Sequence, residues 1–111
     1  MYRDANNLCP RCGTALVRAG AARGCDGCRG VWLPVASLQE MANNMRSPPQ
    51  PVHLGSVVEN RPTIPCRDCT EAMSPILALG ISLDMCTKNH GIWFDANELS
   101  TLLFRLATTP T

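Results

Sequence analysis

Aromatic residues are scarce: two Trp, one Tyr and two Phe in 111 residues. A chain this short buries little surface. Without aromatic bulk, an apolar core cannot by itself offset the entropy of ordering the backbone. Net charge is nearly absent too, at +1, which argues against wholesale electrostatic binding of nucleic acid. No run approaches the roughly 20 apolar residues of a membrane span. Residues 1–8 are polar and lack the apolar stretch of a secretory signal. There is no Ser/His/Asp set and no Gly-rich phosphate loop. These absences lead to the expectation of a reduced, cytoplasmic protein that is not an enzyme, takes no small-molecule substrate and touches no membrane.

What the sequence does have is cysteine, seven in all. A small domain needs staples, either disulfides or metal. The number is odd, most of the Cys stand at Cys-x-x-Cys spacing, and a His occupies the place of an eighth ligand. Metal fits all three facts. Cys9, Cys12, Cys25 and Cys28 form one candidate site, with the two knuckles far enough apart for a hairpin between them. A redox pair would sit at one helix start and would not come in duplicate. Zinc is the expected ion; iron in a rubredoxin-like knuckle is the runner-up, since a thiolate tetrahedron accepts both.

The pattern then repeats. Cys25-Asp26-Gly27-Cys28-Arg29-Gly30-Val31-Trp32 aligns with Cys86-Thr87-Lys88-Asn89-His90-Gly91-Ile92-Trp93, and Leu38 falls in register with Leu99. Cys66, Cys69 and Cys86 need a fourth ligand. Alignment on the Gly and Trp puts Asn89 at the position of Cys28, but an amide is a poor zinc ligand and the adjacent His90 is a good one. The second candidate site is therefore Cys66, Cys69, Cys86 and His90, giving two Zn2+ per chain. Four protein donors leave zinc no position for water. Because each half carries two knuckles, a Trp and a helix signal in the same order, ligands are expected to pair within halves.

The fold class this implies is small, metal-stabilised α+β. Two tandem zinc-ribbon units are expected, each a knuckle–hairpin–knuckle followed by a short helix. The boundaries are 1–46 for the first unit, 47–65 for a linker and 66–107 for the second; the linker holds five of the nine Pro. Strand patterning is visible at 15–18 and 73–77 and clearest at 81–85; a strand over 52–58 has no evident partner. Apolar spacing predicts a helix over 35–45, with Pro34 in its first turn. A second helix is expected from Asp95, with Glu98 placed to reach back in a capping box. His53 in the linker is read as solvated. Trp32 and Trp93 are read as core residues that cover the knuckles and anchor the following helices.

Two surfaces stand out. Leu99, Leu102, Leu103 and Leu106 form an apolar stripe on the last helix, either a candidate docking face for another protein or the surface that joins the two units. Residues 1–47 carry six Arg against three acids, whereas residues 48–111 carry four basic residues against six acids. Arg11, Arg18, Arg23 and Arg29 would be the contacts if the first unit met nucleic acid; ordinary solvated surface is the simpler account.

At these motifs the chain resembles the bacterial transcription factor IIB-type zinc-finger family. The pattern of that family runs Cys-Pro-x-Cys, then Cys-x-x-Cys-x-Gly-x-Trp-Leu-Asp, then Glu-Leu. The first copy is Cys9-Pro10-Arg11-Cys12 with residues 25–33; the second is residues 66–69 with Cys86 and residues 90–99. Two departures matter. Pro34 and Ser37 stand where the family has Asp and Glu, and Asn89 stands at a ligand position. The resemblance implies zinc and, by its name, transcription. The leading expectation is a non-enzymatic zinc-binding adaptor or regulatory module that binds a protein. The alternative is a transcription-related protein associated with nucleic acid or RNA polymerase.

Overall fold

The computed structural model describes residues 7–45, 52–57 and 62–108. The elements in chain order are β1 (Val17–Ala19), β2 (Ala22–Gly24), β3 (Val31–Leu33), α1 (Val35–Met45), β4 (Gly55–Ser56), β5 (Ser74–Ala78), β6 (Ile81–Met85), β7 (Ile92–Phe94) and α2 (Glu98–Thr108). Each half has the expected hairpin between knuckles and the following helix, and adds a third antiparallel strand, β3 or β7, between the second knuckle and the helix. The strands do not form two sheets. They line up as one sheet of seven in the order β1-β2-β3-β7-β6-β5-β4.

The joint is the antiparallel pairing of β3 with β7, which sets Val31 opposite Phe94, Trp32 opposite Trp93 and Leu33 opposite Ile92. The repeats thus meet across a pseudo-two-fold axis that passes between the two Trp. The linker stretch contributes β4, which pairs with β5 at Gly55–Leu77 and Ser56–Ile76. The expected strand over 52–58 is therefore present in shortened form, with a definite partner. Its end at Val58, and residues 47–51 of the linker, lie outside the described residues.

Alternation along β3 and β7 sends side chains to opposite faces of the sheet. On one face Leu33, Ile92, Phe94, Ile76, Ala78 and Leu83 meet Leu38 and Ala42 of α1 and Leu102 and Leu106 of α2 in a single buried cluster. On the other face Trp32 and Trp93 lie among Cys9, Cys25, Cys66 and Cys86, with Leu16, Ile64 and Met73. This corrects the role expected of the Trp. They do cover the knuckles, but they face away from the helices, which are anchored by the neighbouring residues Leu33, Ile92 and Phe94.

The helices also depart from the repeat. α1 spans the expected residues and buries Leu38 and Ala42. α2 begins three residues beyond Asp95, at Glu98, and buries Leu102 and Leu106 rather than Leu99. The reach-back half of the capping box is formed: Asp95 N–H donates to Glu98 Oε1 at 2.8 Å. The carboxylate of Asp95 is used elsewhere, as described below. Leu38 and Leu99 share a sequence register but not a structural role.

Candidate metal centres

The knuckles are built by backbone turns that recur in both units. Cys9 N–H donates to Thr14 O and Cys66 N–H to Glu71 O; Cys25 N–H donates to Gly30 O and Cys86 N–H to Gly91 O. Amides left inside each turn point at sulfur. Arg11 N–H lies 3.4 Å from Cys9 Sγ, Cys28 N–H 3.4 Å from Cys25 Sγ, Asp68 N–H 3.3 Å from Cys66 Sγ and Lys88 N–H 3.4 Å from Cys86 Sγ. Such donors favour thiolate over thiol.

Two donor sets result: Cys9, Cys12, Cys25 and Cys28, and Cys66, Cys69, Cys86 and His90, with the donor atoms of each set within 4.8 Å of one another. In the first, Cys9 Sγ is 3.3 Å from Cys28 Sγ and Cys12 Sγ is 3.4 Å from Cys25 Sγ. In the second, Cys69 Sγ is 3.7 Å from Cys86 Sγ, and His90 Nδ1 is 3.4 Å from Cys86 Sγ and 3.7 Å from Cys66 Sγ. A tetrahedron with Zn–S bonds of about 2.3 Å has edges of about 3.8 Å, so both sets are of the right size for zinc. The ligands pair within halves, and none is shared.

The choice of His90 over Asn89 has a backbone cause. In the first unit the left-handed residue that closes the turn is Arg29, at φ 66°, just after the ligand Cys28; in the second it is Asn89, at φ 62°, just before His90. Asn tolerates that conformation better than most side chains. Asn89 thus makes the turn, and the ligand comes one residue later.

The thiols are pulled in opposite directions. Burial pushes Cys9 up to about 12 and Cys66 up to about 11. The Thr14 hydroxyl and amide draw Cys12 down to about 6. At Cys86 burial works upward, but the His90 and Lys88 amides outweigh it and leave about 7. A buried thiolate needs a compensating cation, so sets mixing resistant and acidic thiols at tetrahedral spacing are suited to a metal ion. With zinc, four thiolates carry a formal charge of −2 and three thiolates with a neutral imidazole −1. A buried cation lies between them. Arg67 is 4% exposed and donates to Pro65 O at the end of the linker and to Leu8 O of the first unit. Burial lowers its pKa, while the Cys66 and Cys9 thiolates oppose that shift.

The residues that join the units were largely invisible in the sequence. Trp93 Nε1 donates to Asp95 Oδ1 at 3.0 Å. Arg11 of the first unit grips the same carboxylate with Nε and Nη2, both at 3.0 Å, and reaches buried Asp84 at 3.4 Å. Arg23 pairs with Asp68 at 3.2 Å. The acidic partner of the basic first unit is thus, in part, the second unit. Of the four Arg considered for nucleic acid, Arg11 and Arg23 are engaged in these bridges. Arg18 and Arg29 are exposed and form no ion pair among the described residues. The Leu stripe divides: its inner half joins the two units, packing with Leu38 and Ala42 of α1, and is not a docking face. Leu102 and Leu106, at 0% and 1% exposure, belong to the core and are closed to a partner. Leu99 and Leu103 line a surface cleft with Arg29 and Val31.

The Gly of each Gly-x-Trp motif has a reciprocal purpose. A Cβ on Gly30 would stand 2.1 Å from Trp93 Cζ2, and one on Gly91 would stand 2.6 Å from Trp32 Cζ2. Each unit leaves out a side chain where the Trp of the other arrives. The signal was the repeat of Gly two residues before Trp, which alone does not say whose Trp fills the gap.

Two closed tetrahedral donor sets, each on paired knuckles of a three-stranded ribbon, define a tandem zinc-ribbon protein. The family model of the transcription factor zinc-finger, a zinc ribbon of the transcription factor IIB type, matches residues 65–105. That is the second unit, and the four-cysteine cluster of residues 9–28 is consistent with a tandem copy. The chain matches no curated protein and no solved structure.

Proposed function

We propose that the chain is a non-enzymatic, zinc-stabilised protein-interaction module that works in the cytoplasm as an adaptor or regulator. The observation that carries this is the placement of the metals. Both donor sets are complete with protein ligands and lie on the same face of the sheet as the buried Trp pair, so zinc serves the fold and has no coordination position open to a substrate. What remains accessible is surface: the edges of the sheet and the cleft beside α2. No helix of the described residues is long and apolar enough to cross a membrane.

The name of the matched family favours a second reading, a transcription-related protein associated with nucleic acid or RNA polymerase. The engagement of Arg11 and Arg23 within the molecule weighs against a nucleic-acid surface built from the four Arg. Capture of cross-linked partners from the native host, read by mass spectrometry, tests the choice. A specific non-polymerase protein supports the adaptor; RNA polymerase subunits support the alternative. Duplex binding tighter than micromolar that survives physiological salt would overturn the adaptor reading, since non-specific binding is typically about 10⁻⁴–10⁻⁶ M there.

A further inference from the structure

The two units share a shape at their joint but not a charge. Trp32 and Trp93 are register partners, and each indole enters the gap left by the Gly of the other unit. Val31 and Leu33 on one side meet Phe94 and Ile92 on the other. Two like units would make contacts of the same kind, so packing alone does not say which unit pairs with which. The salt bridges do. Arg11 and Asp68 hold the same place, two residues after Cys9 and Cys66, and Arg23 and Asp84 stand two residues before Cys25 and Cys86. Arg23 is the register partner of Trp32, and Asp84 that of Trp93. The bridges Arg11–Asp84, at 3.4 Å, and Arg23–Asp68, at 3.2 Å, are therefore images of each other across the pseudo-two-fold axis, with the charges inverted. In both, the first unit supplies the cation and the second the anion. Asp95 deepens the asymmetry. It takes Arg11 at 3.0 Å, whereas its counterpart in the first unit is Pro34.

We propose that Arg11 and Arg23 of the first unit and Asp68 and Asp84 of the second form a pairing code, which makes the joint a recognition surface for a zinc-ribbon unit of opposite charge and closes it to a unit of its own kind. Two first units in this geometry would set Arg11 against Arg23 twice, with Pro34 in the place of Asp95. Two second units would set Asp68 against Asp84 twice. Like charges opposed across an interface cost enough to reject a wrong partner. Asp84 is 3% exposed, so little solvent reaches it to screen such a repulsion. The partner that fits each unit is thus the other unit. In this chain the fitting partner is covalently attached. When the attached unit is repelled, the unit of complementary charge on a second copy of the chain takes its place. The inference goes beyond the adaptor reading and does not depend on it.

The test uses full-length, zinc-supplied chains. One carries Arg11→Glu and Arg23→Asp, so that both its units are acidic at the joint. The other carries Asp68→Arg and Asp84→Lys, so that both are basic. Mixed in equal amounts, they are expected to form a one-to-one heterodimer in sedimentation, preferred at least tenfold over either homodimer. All four changes in one chain restore opposite charges across the joint, and that chain should be a folded monomer. No heterodimer from folded, zinc-loaded variants, or self-association of either variant as tight as the mixed pair, would overturn the proposal. If Asp84→Lys, at its buried site, leaves no folded protein in the mixture or in the four-change chain, the half-exposed pair decides. Arg23→Asp and Asp68→Arg are each expected to lower the denaturant midpoint. The exchange Arg23→Asp/Asp68→Arg should recover more than half of the summed loss. Losses that simply add would overturn the proposal, because separate structural roles at the two positions predict that result.

Discussion

At the residue scale the account turns on two glycines and one histidine. Gly30 and Gly91 are close approaches, not turns, and the atoms they approach are the indoles of the opposite unit. Indoles packed on the metal face are bulky and enclosed, so neither can withdraw cheaply. Gly30→Ala and Gly91→Ala should each lower stability by about 1–3 kcal/mol through overpacking. Gly24→Ala, whose Cβ would meet nothing nearer than 3.9 Å, should change it far less. Denaturant midpoints of the zinc-loaded variants measure the contrast. For the fourth ligand, the left-handed backbone at Asn89 makes Gly the clean substitution, because Ala would strain the turn. His90→Ala should weaken zinc at the second site at least tenfold, and Asn89→Gly should leave it nearly unchanged, by competition with a chromophoric chelator. Six cysteine ligands were legible in Cys-x-x-Cys spacing, and Cys86 in its alignment with Cys25 across the repeat. His90 was legible from its chemistry, but the reason for the one-residue offset was not, because it resides in a φ angle.

At the scale of elements, the helices and the β5–β6 hairpin were legible, whereas β3 and β7 were not. Their three-residue strands are flanked on both faces, β7 being buried throughout, so apolar residues run on without the alternation that announces a half-exposed strand. Yet these two strands join the units. The leucines of α2 show the converse failure. Periodicity marked an apolar stripe correctly but could not say which edge of it faces inward. Burial decides that, and it divides the stripe. Leu102→Ala and Leu106→Ala should each cost about 2–5 kcal/mol as buried truncations. Phe104→Ala, at a residue 68% exposed, should cost well under that. Thermal or denaturant unfolding of the four proteins, wild type included, resolves the division. A large loss at Phe104 would move the inner face of α2.

At the scale of the whole molecule, the repeat is less a pair of beads than one sheet made from two incomplete halves. Removing the second unit would uncover β3, Leu33 and Trp32. It would also remove Asp84 and Asp95 from Arg11 and Asp68 from Arg23. Neither half has the apolar area to absorb such a loss. A structural zinc site supplies on the order of 10–16 kcal/mol of apparent binding energy at neutral pH, but only to a site the fold presents. Metal at one centre and order at the other are therefore linked. The charge asymmetry of the sequence finds part of its explanation here too, because the basic half and the acidic half are bridged to each other.

The measurement closest to this claim is a two-dimensional NMR spectrum of the zinc-supplied Cys66→Ser/Cys69→Ser variant, with zinc per chain counted on the same sample. Coupled halves predict that amides of residues 9–33 lose their dispersed positions along with those of the second unit. They also predict that the first site, its four cysteines untouched, binds zinc at least tenfold more weakly than in the wild type. Retention of wild-type shifts across residues 9–33, with one zinc held at undiminished affinity, would show that the first unit folds on its own and that the β3–β7 joint does not couple the centres.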